Sequence, residues 1–219
     1  MADASLILAK EQSCGHGRRG RKWISSPGNI YATFVVKKVL HPSQLTFIGA
    51  LSSLQTLRDY APALQFWVKW PNDVYVKSLK IAGVLSETHS PEKSNKADGA
   101  VIGVGINLNT DKGFFEMEKV SATSIFAETA KIINIEKFAD SLHYNLNALY
   151  QEAFINPERI YELWKKENIL IGKEIEIIQE SGDKVKGVFK DIGKDGSLIL
   201  NLTDGSSQIF YSGEVSVNY

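Results

Sequence analysis

The chain's pattern shifts after Ser121 and becomes purely β near residue 169, and that second change constrains the fold more than any other feature. From Ile169 onward the pattern is purely β. Glu174 to Ile178, Lys184 to Val188, Ser197 to Leu202 and Gln208 to Tyr211 are short apolar runs, separated by the hairpin signals Ser181-Gly182-Asp183, Lys194-Asp195-Gly196 and Thr203-Asp204-Gly205. This spacing predicts a small β-barrel over residues 169–219. Upstream, strands and helices mix. Leu6 to Ala9 and Tyr31 to Val36 are strand-length runs, the second introduced by the turn Ser26-Pro27-Gly28-Asn29. Ser43 is placed to cap a helix running to about Tyr60, with Leu45, Ile48, Gly49, Ser52 and Leu57 near one face. Gln65 to Trp70, Asp73 to Val76, Lys80 to Thr88 and Ala100 to Asn107 read as strands, with a turn at Asn95 to Gly99. Asn134 caps a second helix bearing Ile135, Phe138, Leu142, Leu146 and Leu149, and a shorter one after Asn156-Pro157 carries Ile160, Leu163 and Trp164. The expected class is α+β, with a mixed β-sheet and packed helices over residues 1–168 and the barrel after it.

Composition excludes several classes. With 43% hydrophobic and 23% charged residues in 219, the chain can bury a substantial core, so disorder is not its dominant state. No run approaches the ~20 apolar residues of a membrane span, and residues 4–9 are too short for a signal sequence, so a cytoplasmic protein is expected. The single Cys14 forms no internal disulfide and supports no sulfur-ligated zinc. His16, His41, His89 and His143 are scattered, so no metal site and no Cys/His catalysis are expected. The 25 basic and 25 acidic residues cancel, but between Gln12 and Arg58 there is no acid. Arg18, Arg19, Arg21, Lys22, Lys37, Lys38 and Arg58 make that segment strongly positive.

Within it lies Gly15-His16-Gly17-Arg18-Arg19-Gly20-Arg21-Lys22-Trp23. The spacing matches the dinucleotide fingerprint G-x-G-x-x-G, but the segment leads into Ser-Ser-Pro-Gly and a strand, and no acid follows before Asp59. A Rossmann site is therefore rejected. What remains suits a phosphorylated nucleotide: glycines let backbone N–H groups approach an anion, guanidinium groups bind it in bidentate fashion, and an indole offers a face to a base. The competing reading is a solvated basic loop. A loop of this composition is expected to be mobile until an anion orders it. Lys69-Trp70-Pro71-Asn72-Asp73 links two strands, and Trp70-Pro71 taken alone reads as core packing at a rigid turn. In Lys80-Ile81-Ala82-Gly83-Val84-Leu85 an ammonium precedes small residues that leave room beside the sheet; the alternative is a lysine closing an exposed hairpin. Gly103-Val104-Gly105-Ile106-Asn107 is a strand whose glycines suit close approach of a ligand or of another backbone.

Together with Glu11-Gln12, Ser26 to Tyr31 and Gly213-Glu214-Val215-Ser216, these blocks stand in an order that resembles the biotin protein ligases (biotin–[acetyl-CoA-carboxylase] ligases) over nearly the whole chain. The resemblance implies a catalytic domain of the biotin/lipoate ligase type over 1–168 and an SH3-like domain over 169–219. It implies a two-step reaction in which biotin and Mg-ATP give biotinyl-5′-AMP, and biotin then passes to a lysine of a biotin carboxyl carrier protein of acetyl-CoA carboxylase. Lys80 and Arg18 take the catalytic roles, with Lys80 bridging the biotin carboxylate and the α-phosphate. Gln12, Gly15, His16, Gly17, Arg18, Lys80, Ala82, Gly83 and Leu85 form the biotin site. Arg18, Arg19, Arg21, Trp23, Asn72, Asp73 and Asn107 hold ATP or the adenylate. ATP, Mg2+ and biotin are the ligands, no protein metal site is implied, and a homodimer is expected.

The sequence departs from the family pattern in three places. His16 and Asn218 stand where arginines are usual. The family's first strand and helix, with a Ser-Thr-Asn motif that grips biotin, would precede Leu6; a chain without them is expected to bind biotin poorly. No winged helix precedes the catalytic blocks, so operator DNA is not an expected partner, and neither is a membrane. The rival readings are a lipoate or octanoate ligase of the same architecture, and a non-catalytic nucleic-acid-binding protein that uses the positive segment and Trp23.

Overall fold

The computed structural model describes residues 4–90 and 98–216. Asn218 and residues 95–97 of the expected turn lie outside them. Strands β1 (Ala4–Ala9), β2 (Ile30–Val36), β3 (Phe66–Lys69), β4 (Asp73–Val76), β5 (Leu79–His89) and β6 (Gly99–Ile106) form one sheet in the order β1-β2-β6-β5-β4-β3. Every ladder between them is antiparallel, which corrects the expected mixed sheet. The reason is topological. Helix α1 (Pro42–Tyr60) carries the chain from β2 to β3 at the far edge, so the two strands it joins never become neighbours, and β3 to β6 then follow as hairpins.

Helix α1 lies across one face of the sheet, and α4 (Ile135–Ile155) and α5 (Pro157–Glu167) pack on α1 from outside. Because α1 is sandwiched, its burial extends well beyond the single face expected from its spacing: Phe47, Ala50, Leu51 and Leu54 are buried along with Leu45, Ile48 and Leu57. Its buried hydroxyls are satisfied one turn back, Ser52 on the Ile48 carbonyl, Ser53 on that of Gly49 and Thr56 on that of Ser52. The cap differs from expectation. His41 Nδ1 accepts from the Ser43 N–H and also meets the Ser43 hydroxyl at 2.7 Å, and that hydroxyl lies 3.2 Å from the Tyr161 hydroxyl. Asn134 caps α4 as expected, accepting from the Lys137 N–H. Two short helices, α2 (Lys112–Met117) and α3 (Ile125–Thr129), stand where no helix was expected.

The C-terminal strands β7 (Glu174–Ile178), β8 (Lys184–Ile192), β9 (Leu198–Asn201), β10 (Ser207–Phe210) and β11 (Glu214–Ser216) form a second antiparallel sheet in the order β10-β9-β8-β7-β11. It is open rather than the expected closed barrel: among the described residues the short end strands, β10 and β11, pair only inward. The two sheets meet at Trp70, which is core as its turn suggested. Its Nε1 donates to the Gly196 carbonyl at 2.9 Å. Gly196 has φ +78°, and a β-carbon there would lie 2.2 Å from Ser43 Cβ. Lys165 of α5 reaches Asp191 of β8 at 2.8 Å across the same joint, and the end of α5 is held to α1 by the 2.6 Å contact of Glu167 with Arg58. Gly196→Ala should therefore lose about 2 kcal/mol or more through backbone strain and overlap, lowering the midpoint of thermal denaturation by roughly 4–8 °C. An unchanged midpoint would show that this joint yields easily.

Candidate active site

The face of the first sheet away from α1 carries an open cavity of about 580 Å³. Its floor is set by strand pairing. Gly83 lies opposite Gly105, and Leu85 opposite Gly103, in the β5–β6 ladder. Adjacent glycines leave a trough, and the Trp23 indole lies in it: a β-carbon at Gly105 would come within 2.5 Å of the ring, and one at Gly83 within 3.1 Å. The indole Nε1 is buried with no hydrogen-bond partner in the structure.

Trp23 is delivered by a hairpin excursion between β1 and β2. Its N–H donates to the Gly15 carbonyl at 2.9 Å, the Gly17 N–H to the Arg21 carbonyl at 2.6 Å, and His16 bridges Lys22. Between these bonds the chain makes a 3-10 turn over Arg18–Gly20. Gln12 Oε1 accepts from the Ser25 hydroxyl at 2.9 Å at the base of this hairpin.

Lys80 enters the trough from the start of β5. Its ammonium lies 2.6 Å from Asp73 Oδ1 and 5.3 Å from the centre of the Trp23 ring. The exposed-hairpin reading of this lysine is thereby set aside. Above it, Arg18 is half-buried and reaches Asn72 Oδ1 at 3.5 Å, while Asn72 Nδ2 donates to the Val84 carbonyl at 2.6 Å. Burial lowers the Arg18 pKa, neighbouring Arg19 adds to that, and Asp73 opposes it. Lys69 is lowered for the same first reason, again opposed by Asp73. An arginine keeps its charge through such a shift, so Arg18 is a cation of the cavity lining, as is Lys80 with Asp73 beside it.

The cavity brings together Gln12, His16, Gly17, Arg18, Arg21, Trp23, Asn72, Asp73, Lys80, Gly83, Leu85 and Asn107. Three expected residues stand elsewhere. Ala82 is fully buried in the core on the α1 side, because side chains alternate along β5 and Gly83 takes the cavity side. Gly15 lies under the hairpin, where a β-carbon would meet the Trp23 carbonyl at 2.4 Å. Arg19 has φ +59° and turns away from the cavity lining to Glu180, 3.8 Å distant. Arg21, at the rim, is held by Glu214 of β11 at 3.1 Å. The positive segment is also more dispersed than its sequence implied: Lys37 and Lys38 follow the far end of β2, and Arg58 is engaged on α1.

The cavity also takes in Thr33, Val101, Phe114, Phe115 and Val120, which were not anticipated. Thr33 and Val101 share the cavity side with Gly103 and Leu85, and strand alternation alone could have found them once the register was known. Asn29, buried in the turn before β2, ties the cavity rim together by accepting from the Leu108 N–H at 2.8 Å and donating to Thr110 Oγ1 at 2.8 Å.

Residues 2–107 match the Biotin/lipoate A/B protein ligase family, and residues 170–217 match the Biotin protein ligase C terminal domain. The biotin–[acetyl-CoA-carboxylase] ligase of Paracoccus denitrificans is 30% identical, the alignment covering 97% of this chain and 92% of that protein. The bifunctional ligase/repressor BirA of Escherichia coli is 31% identical over 99% of this chain and 67% of its own length. The biotin protein ligase of Aquifex aeolicus, solved in complex with biotin and ATP, superposes with a TM-score of 0.82 at 25% identity, over 96% of this chain and 87% of that one. The family model spans biotin and lipoate ligases, whereas these three relatives are named as biotin ligases or as a ligase/repressor. A sheet floored by paired glycines, a lysine and an arginine converging on it, and relatives that match it from end to end place this chain in the biotin protein ligase family.

Proposed function

We propose that the chain is an ATP-dependent biotin–[acetyl-CoA-carboxylase] ligase that forms biotinyl-5′-AMP and passes biotin to a lysine of a carboxyl carrier protein. The observation that carries this reading is the Lys80 ammonium, held at 2.6 Å from Asp73 beside a glycine trough with Arg18 above it. In the first step a biotin carboxylate oxygen bonds to the α-phosphorus and pyrophosphate leaves. Two anions must approach one another, and fixed cations placed between them lower that barrier without reorganising. Lys80 exchanges Asp73 for these oxygens, and Arg18 holds the phosphate. In the second step the carrier's lysine amine attacks the acyl carbon, AMP leaves and the amine loses a proton. The trough takes the apolar part of biotin, with Gln12, His16 and Gly17 along its rim, and Trp23 and Asn107 border the nucleotide.

Mg2+ enters with ATP. Among the described residues no three His, Cys, Asp or Glu side chains cluster to cage a metal, and Asp73 is the carboxylate beside Lys80. That donor set fits a cation ligated mainly by triphosphate oxygens and water, where it would neutralise phosphate charge. A homodimer is part of the reading, supported by β1, which among the described residues pairs on one side only and exposes Ile7. Among the described residues no helix is long and apolar enough to cross a membrane; cytoplasmic residence completes the proposal.

Pyrophosphate release that depends on biotin tests the assignment. Lys80→Ala should lower it about 10²–10³-fold with an unchanged circular dichroism spectrum, as for the loss of one transition-state donor; full retention would remove Lys80 from the chemistry. Gly105→Ala sets a methyl into the indole, so the KM for biotin should rise at least ~10-fold. Trp67, Trp70 and Trp164 are buried, so the accompanying red shift of tryptophan emission reports Trp23. An unaltered KM with the shift present would place biotin away from the trough.

A further inference from the structure

Lys80 points into the cavity because β5 carries a bulge. Opposite Val74 and Tyr75 of β4 lie Ala82 and Lys80, so Ile81 is an extra residue without a partner on that side. Without it, strict alternation would put Lys80 on the α1 side with Ala82 and Val84. The bulge also lies beyond the ladder with β6, which begins at Ala82 and Ile106. Its two carbonyls are taken by other segments: the Asn107 N–H donates to Ile81 at 2.9 Å, and the Thr123 N–H to Lys80 at 2.9 Å. Asn107 Nδ2 then donates to the Thr123 carbonyl at 3.0 Å.

Thr123 is fixed in turn by Glu128 of α3. The Thr123 hydroxyl donates to Glu128 Oε1 at 2.8 Å, and Lys77, in the turn between β4 and β5, donates to Oε2 at 2.7 Å. Glu128 is a nearly buried carboxylate with one oxygen on Thr123 and the other on Lys77. We propose that Glu128 is a positioning residue for the ligase reaction: through Thr123 and Lys77 it clamps the bulge that aims the Lys80 ammonium at the reacting carboxylate and phosphate. Lys77 keeps the turn in register, Thr123 holds the Lys80 carbonyl, and the side chain between them has one course into the cavity. The inference rests on the proposed role of Lys80.

Glu128→Gln keeps an acceptor but removes the charge that holds Lys77. It should lower kcat for biotin-dependent pyrophosphate release about 10-fold or more while leaving the KM values for biotin and ATP within about twofold, as expected for misplacement of a catalytic group. Thr123→Val should reproduce the loss and Thr123→Ser should restore activity, which separates the hydroxyl's role from general packing. In the Lys80→Ala background, Glu128→Gln should cause no further loss, because both act through one group. The clamp is overturned if Glu128→Gln and Thr123→Val keep the parental kcat, or if their losses multiply with that of Lys80→Ala. If Lys80→Ala alone is fully active, the role of Lys80 fails instead, whatever Glu128 does.

Discussion

The pairing of β5 with β6 is the constraint on which the rest of the cavity depends. It sets Gly83 against Gly105 and Leu85 against Gly103, so the cavity side of the sheet is bare of side chains at three of these four positions. The other side of the same strands carries Ala82, Val84, Val104 and Ile106 into the core against α1. A single register thus separates a packed face from an open one, and a slip by one residue would exchange them. The indole of Trp23 and the ammonium of Lys80 lie against this floor, and Arg18 closes over it through Asn72.

Much of this was legible in the sequence, for a local reason. Tyr31 to Val36 and Ala100 to Asn107 are runs rich in β-branched residues bounded by turn signals, and Asn134 stands directly before a strong helical period; such features need no tertiary context. The Gly15 to Trp23 segment was recognisable because its glycines and cations have a chemical meaning in that spacing. What could not be read depended on a partner strand. Ala82 was assigned to the cavity together with Gly83 because both are small, and which of two neighbours faces the cavity is set only by the ladder that β5 joins; the bulge at Ile81, which turns Lys80 to that side, has no local signal either. The antiparallel sheet followed from where β3 lands, which no local pattern encodes. Helices α2 and α3, six and five residues long, are too short to display a period, although their caps at Asp111 and Ser124 are present.

The distribution of charge was legible only as a sum. The chain's acid-free segment places Arg18, Arg21 and Lys22 around the cavity, while the remaining four cations are directed elsewhere. Two of its arginines meet acids of the C-terminal sheet, Arg19 at Glu180 and Arg21 at Glu214. These contacts are exposed, and each contributes little on its own. Their effect is geometric: the hairpin that carries Trp23 leans on a second sheet, which is itself fixed to the first through Trp70 and Gly196.

The indole lying in the glycine trough has a consequence for measured affinity. A ligand that slides between the ring and the two glycines meets an internal competitor already bound there, tethered to the chain and therefore always present. Its binding constant reports a difference between two occupancies of the same surface. On the proposed reading, in which Trp23 borders the ligand, the same side chain also sets the threshold that the ligand must exceed to enter.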